Sequence, residues 1–477
     1  MTVLVWLRQD LRLADNPALH HACRLGATVI PVFIDDATPT STSQLGAASR
    51  VWLHHSLQRL AESLTACGSR LIIRQGDALS VLQTLMRETQ ATHVYWNRVY
   101  EPACLARDTL IKQTLKADCE VRSFNASLLN EPWDVLKADG TPYKVFTPFW
   151  KAMLKYGIQH ALLPAPANLP APNQFPTSVT VENLALLPRI RWDAPLMAHW
   201  QVGESAAMQK LHQFLQGHAE QYKTARDFPA QPATSMLSPH LHFGEISPRQ
   251  AVYHATQYLA ANSQAEQGIQ HFLQEIGWRE FAYHLLYHYP HTVDQALDAR
   301  FQHFPWAENY DALLTRWQLG QTGLPIIDAG MRELWHTGWM HNRVRMIAAS
   351  LLTKNLLIPW QIGEQWFRHT LVDADLANNV LGWQWTAGCG ADAAPYFRIF
   401  NPILQSQKFD PEGEYIRRWL PELQYRDKQS IHLPRELGDA LKNYPLPIVD
   451  LKASRTKALE QFDRIKHPFL KSKTLNN

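Results

Sequence analysis

Hydrophobic residues in the first 130 positions come in short, nearly continuous runs rich in β-branched side chains: TVLVWL, ATVIPVFI, SRLIIRQ and THVYWNR. Amphipathic stretches such as SRVWLHHSLQRLAESL separate them. Runs that are apolar throughout, rather than alternating, belong to strands covered on both faces, so residues 1–130 are predicted to form a parallel α/β sheet. Over residues 131–200 the pattern gives way to proline-rich text, LLPAPANLPAPNQFP, which cannot hold a regular helix and reads as a long surface connection. Residues 201–477 have helical spacing almost throughout, in GIQHFLQEIGWREFAYHLLYHY and MRELWHTGWMHNRVRMIAASLLTKNLL, so the second domain is expected to be all-α.

At 477 residues the chain exceeds one ordinary core and is long enough for about two to three domains. The net charge is only +3, but 22 histidines and 17 tryptophans suit a local basic surface better than a uniformly positive coat. Cys23, Cys67, Cys104, Cys119 and Cys389 show no ligand spacing, which argues against a disulfide framework, a zinc site and an iron–sulfur cluster. No metal is expected. The first strand runs straight into arginines and aspartates, and no apolar run approaches the ~20 residues of a membrane span. The expectation is therefore a cytoplasmic protein without a membrane partner. No motif bears on assembly, and a monomer is assumed.

The densest chemistry lies between Asp373 and Pro402, DADLANNVLGWQWTAGCGADAAPYFRIFNP. Asp373 reads as a helix cap, Asp375 and Asn379 fall one turn apart on one face, and Gly382 reads as a left-handed stop. Trp383 and Trp385 flank Gln384, and the small residues after them would let a large planar ligand approach the backbone. The alternative is a buried polar network that staples a helical core. Upstream, Tyr222 precedes the hydroxyl-rich loop Thr234, Ser235, Met236, Leu237, Ser238. There Ser238 and Pro239 read as the cap and first turn of a helix, suited to an anion or simply an ordinary capped helix. Phe272, Glu275 and Arg279 share a helical face that combines an aromatic wall, an acid and a guanidinium.

These segments, with TGLPIIDAGMREL, GWMHNRVRM, QEIGWREF and the opening WLRQDLRLADNPAL, resemble the photolyase and cryptochrome family over essentially the whole chain. The resemblance implies a Rossmann-like α/β antenna domain, a linker and an all-α FAD-binding domain. It places Tyr222, Thr234, Ser235, Met236, Leu237, Ser238, Phe272, Arg279, Asp373, Asp375 and Asn379 at FAD. Phe272 stands where tryptophan is common, and Asn379 falls at the position beside the flavin N5. Asparagine there suits an enzyme that works from the fully reduced anionic flavin. Trp383, Trp360 and Trp306 match the family's electron-transfer chain, although any one of them is otherwise a packing residue.

The partner implied is UV-damaged DNA, with the lesion flipped out of the stack. Glu275, Trp278, Asn342 and Met346 would line its pocket, and Arg226, Arg343 and Gln405 would contact the strand. Glu275 and Asn342 would stabilise the lesion electrostatically, with Met346 and Asn379 completing the catalytic set. Enzymes for the six-four photoproduct carry histidines in this pocket, so the expectation is a class I cyclobutane pyrimidine dimer photolyase. A six-four photolyase and a cryptochrome photosensor remain alternatives. The sequence closes on KASRTKALEQFDRIKHPFLKSKTLNN, without the long tail expected of many signalling cryptochromes, which favours an enzyme. A second antenna chromophore is implied in the first domain. Cys104 stands where folate-binding members use glutamate, and WNRVYEP favours a deazaflavin or flavin over methenyltetrahydrofolate. An empty antenna pocket stays open.

Overall fold

The computed structural model describes residues 1–36, 45–158, 161–393, 397–433 and 444–466. Residues 394–396 of the Asp373–Pro402 run and the closing residues 467–477 lie outside the described residues. The chain divides into two compact units. One comprises Met1–Lys223, Ala233–Pro290 and Val372–Ala377, and the other Thr224–Pro232, His291–Leu371 and the residues from Asn378 on.

In the first unit β1 (Thr2–Leu7), β2 (Thr28–Asp36), β3 (Ile72–Gly76), β4 (His93–Asn97) and β5 (Glu120–Phe124) form one sheet in the order β3-β2-β1-β4-β5. Every pairing is parallel, with Leu4 opposite Ile30 on one side and Val94 on the other. Parallel neighbours need crossovers, which α1 (Pro17–Arg24), α2 (Ala47–Ala66), α3 (Ala78–Thr89) and α4 (Pro102–Leu115) supply. Leu4, Trp6, Ile30, Val32 and Val94 pack with Leu82, Leu85, Ile111 and Leu115 in one core. The four apolar runs became β1 to β4. Strand β5, at one edge of the sheet, carries no such run: in EVRSF only Val121 is buried.

The stretch expected to be a bare connection, 131–200, contains α5 (Phe146–Tyr156). Its buried Phe146, Phe149, Trp150 and Met153 recur at helical spacing just before the prolines, and that stripe outweighs the neighbouring breakers. Within the same unit α5 packs on the long helix Glu266–His288. Gly277 makes room for this packing, since a Cβ there would stand 2.5 Å from Trp150 Cε3.

The second unit is helical. Its run from Met331 to Leu357 is not one helix: Gly338, at φ 67°, ends Pro325–Thr337. His341 then opens Asn342–Ser350 by accepting from Arg343 N, and Leu351–Asn355 widens into a π-helix. The TGLPIID turn is fixed by buried Asp328, which accepts from Thr322 N, Thr322 Oγ1, Gly323 N and Tyr444 OH at 2.7, 2.6, 3.0 and 2.7 Å.

Three local expectations are corrected. The helix after Asp375 runs from Leu376 to Ala387, straight through Gly382; the left-handed stop is Gly388, at φ 82°. Nothing lies within 4 Å of a Cβ at Gly382, so neither space nor backbone demands a break there. The glycine at 390 does not open the backbone to a ligand, because the space of its missing side chain is filled by Gln384, 2.8 Å from a Cβ. Ser238 is the first residue of the short helix Ser238–His242, with Leu237 in the cap position and no side-chain cap bond.

Gly277→Ala is expected to destabilise the protein by about 1–3 kcal/mol, because Trp150 is packed and cannot retreat. A urea titration checks this as a lower midpoint at unchanged slope.

Candidate functional site

Within the first unit, the Glu266–His288 helix sets Phe272, half-buried Glu275 and Trp278, and buried Arg279 along its length. Phe272 packs into an aromatic cluster, with ring centroids 4.9 Å from Phe214 and 6.1 Å from Tyr222. Trp278 lies flat on Phe146, 3.8 Å between centroids and 10° between planes, which leaves only its other face for a stacking partner. Arg279 donates to Ser127 O at 2.7 Å and sits 4.8 Å from the Tyr283 ring centroid.

Tyr283 in turn donates its hydroxyl to Asp375. Asp375 is 6% exposed, and its backbone N–H donates to Asp373 O at 2.7 Å. His242 Nδ1 stands 3.7 Å from the Asp375 carboxylate, beyond hydrogen-bond reach. Burial opposes ionisation of Asp375, yet His242, Arg279 and the Tyr283 hydroxyl outweigh it and hold the carboxyl well below the usual range. Burial and the Asp375 charge push the Tyr283 hydroxyl far up. Buried Glu101 is raised as well, by desolvation first and then by repulsion from Asp375. Tyr283 and His242 were missed in the sequence, since nothing local marks a hydroxyl or an imidazole as partner to a carboxylate far along the chain.

The loop before Ser238 has a second feature. Met236 holds φ at +54°, uncommon for a residue with a side chain, and Leu237 follows in a right-handed conformation (φ −87°, ψ −7°). Such left-then-right alternation turns successive N–H groups to one side and forms a small anion-binding concavity. Thr234 and Ser235 beside it are half-buried, and Ser238 is exposed.

In the second unit, Asn379 Nδ2 donates to Glu364 O at 3.1 Å and to Glu364 Oε1 at 2.9 Å. Both partners accept only, so the amide is fixed with Oδ1 free of any hydrogen bond to the described residues. Glu364 also pairs with Arg368 one turn along the same helix. Burial raises the Glu364 carboxyl, opposed by Arg368 and Asn379.

Trp383 and Trp360 are each 2% exposed, while Trp306 is only half-buried. Ala307 N donates to Leu357 O at 2.8 Å, which ties the Trp306 segment to the chain leading into Trp360. Trp383 meets Phe367 and Trp317 edge-on at 4.9 and 6.2 Å, and Gly363 lies directly against its ring. Trp317 and Gly363 were not singled out in the sequence; their importance is one of contact.

Asn342, Arg343 and Met346 gather at the start of their helix. Asn342 Nδ2 and Arg343 Nη1 each lie 3.9 Å from Met346 Sδ. Arg343 pairs with Asp227 at 2.8 Å, next in sequence to Arg226, and covers the Phe409 ring at 4.3 Å. Phe409 lies one turn beyond Gln405 on the Pro402–Phe409 helix.

Comparison with known proteins bears on both units. The family model described as DNA photolyase matches residues 3–172, and that described as the FAD binding domain of DNA photolyase matches residues 272–464. A deoxyribodipyrimidine photo-lyase of Agrobacterium fabrum is 48% identical, over 97% of this chain and 98% of its own. Cryptochrome-2 of Arabidopsis thaliana is 39% identical, over 95% of this chain and 77% of its own. The crystal structure of a bacterial class III photolyase from Agrobacterium tumefaciens superposes with a TM-score of 0.93 at 47% identity, covering 98% of each chain.

Gly363→Ala is expected to displace Trp383, because a Cβ would fall 2.1 Å from its Cη2. Illumination of the flavin-loaded variant should then reduce bound flavin several-fold more slowly than in the unaltered protein, with flavin content unchanged. With both family models matched in order, and 48% identity across nearly the full length of a photolyase, the chain belongs to the photolyase and cryptochrome family.

Proposed function

We propose that this protein binds FAD and repairs cyclobutane pyrimidine dimers in UV-damaged DNA under blue light. The residues suit the cofactor. The Met236–Leu237 concavity fits a pyrophosphate. Asp375, ionised though buried, fits a ribose hydroxyl or a ring N–H. Asn379 offers a side-chain oxygen to a protonated ring nitrogen because Glu364 holds its amide nitrogen. Thr234, Ser235, Ser238, Phe272 and Arg279 would complete the binding set. When bound and fully reduced, FAD supplies the photoexcited electron that opens both cross-links of the dimer and then takes it back.

The observation that carries the substrate choice concerns His341. It is the histidine next to the Asn342, Arg343 and Met346 cluster, yet it is 3% exposed and its Nδ1 is engaged in capping the helix. Burial pushes its imidazolium down to about 4, so it would be neutral and held away from a lesion. A six-four enzyme needs pocket histidines, whereas a cyclobutane dimer needs hydrogen bonds to its carbonyls and a flat stacking wall. Asn342, Glu275 and the open face of Trp278 suit the latter. Arg226, Arg343 and Gln405 would hold the strand. Trp306, Trp360 and Trp383 would carry an electron to the oxidised flavin.

The 47% identity to a class III photolyase supports that class over the class I expectation. In this reading residues 1–130 are the antenna domain, 131–200 the linker and 201–477 the flavin and lesion domain. A deazaflavin or flavin remains the proposed second chromophore, and the protein acts as a cytoplasmic monomer with access to DNA.

The test is blue-light repair of one oligonucleotide carrying a cyclobutane thymine dimer and another carrying a six-four lesion, with dark controls. Repair of the first alone is expected. Repair of only the second would move the protein to the six-four enzymes, and repair of neither, with intact flavin photoreduction, would favour the photosensor. Affinity for the dimer should fall steeply with salt, and Arg343→Ala should reduce that salt slope by about one.

A further inference from the structure

Glu333 lies one turn before the end of the Pro325–Thr337 helix, and it is only 7% exposed. An acid buried at this cost needs a compensating reason. A single oxygen, Oε2, accepts from His341 N at 3.1 Å and from Tyr415 OH at 2.6 Å. The first bond reaches past the Gly338 turn and fixes the residue from which the Asn342–Ser350 helix starts. The second reaches the Glu414–Trp419 helix.

That helix is held by Asp410, whose two oxygens accept from Tyr415 N and Ile416 N, both at 3.0 Å. Asp410 caps the end of Pro402–Phe409, and Phe409 beside it supports the Arg343 guanidinium at 4.3 Å. The contacts close a ring, from Glu333 through His341 and Arg343 to Phe409, then through Asp410 and Tyr415 back to Glu333. Every member lies within one unit. Burial pushes the Glu333 carboxyl up to about 7, against the two donors and the charges of Arg345 and Arg418.

We propose that Glu333 is a positioning residue for DNA binding, setting Asn342 and Arg343 against the helix that carries Gln405. The proposal rests on the reading of those three residues as DNA contacts. It does not require that the bound lesion be repaired.

The test compares full-length, flavin-loaded protein with E333A, E333Q and Y415F. Kd is measured by fluorescence anisotropy on a dimer-containing duplex and on the undamaged duplex, with repair turnover at saturating DNA in parallel. E333A should raise Kd for the dimer about tenfold, since a buried N–H and a hydroxyl lose their acceptor. Turnover at saturation should fall as well, because Asn342 is displaced together with Arg343, while flavin photoreduction should stay within about twofold. E333Q should restore binding, because one amide oxygen can accept both donors. Y415F, which removes only one donor, should fall between and reports even if E333A fails to fold. Unchanged Kd in E333A and Y415F would overturn the proposal, as would E333Q binding no better than E333A, or a loss of flavin photoreduction matching the loss of affinity. If the unaltered protein binds the dimer but repairs nothing, the functional reading fails while this series still decides the role of Glu333. If it binds neither duplex, both fail.

Discussion

A carboxylate taken out of water must be compensated where it stands, and Asp375 imposes that condition on the first unit of this protein. Tyr283 supplies a hydrogen bond, His242 a nearby imidazole and Arg279 a positive charge. The Glu266–His288 helix delivers two of these three. It can do so because Gly277 lets Trp150 come close enough to seat it. One missing methyl group thus connects backbone packing to the electrostatics of a buried acid. The same helix bears Glu275 and Trp278, so the residues assigned to flavin and to lesion share one rigid support.

The second unit applies the same logic with different parts. Asn379 is oriented because Glu364 occupies its amide nitrogen, and Glu364 tolerates burial because Arg368 pairs with it one turn on. Trp383 is located by the absence of a side chain at Gly363. Arg343 would be an ordinary mobile cation without Asp227 beside it and Phe409 beneath it. Each proposed functional group is thereby held in one arrangement by a neighbour that takes no part in the chemistry, and preorganisation of this kind lowers the cost of binding.

The sequence revealed what depends on local periodicity and hid what depends on distant pairing. The apolar runs of β1 to β4 and the long helix of Phe272, Glu275 and Arg279 were legible because burial on both faces, or on one helical stripe, repeats within a few residues. Strand β5 was not, since only Val121 meets the core. α5 was obscured by the prolines that follow it. Gly382 read as a helix stop and the small residues after Trp385 as an opening for a ligand, because composition cannot say whether a glycine answers to a positive φ, to a neighbour such as Gln384, or to neither. Asp375 was legible as an acid worth attention, but its partner Tyr283 is 92 residues away. Nothing in the spacing sets Glu333 apart from any other polar position of a helix, and only the fold shows that both its donors come from other segments.

The ionised Asp375, bonded by Tyr283 with His242 and Arg279 nearby, is proposed as the fixed point of the flavin site. The direct test is the FAD content of purified Asp375→Asn beside the unaltered protein, with circular dichroism to establish that both are folded. About one flavin per chain is expected in the unaltered protein and a large loss in the folded variant, since an amide keeps the shape but not the charge. A folded Asp375→Asn protein that retains full flavin would contradict it.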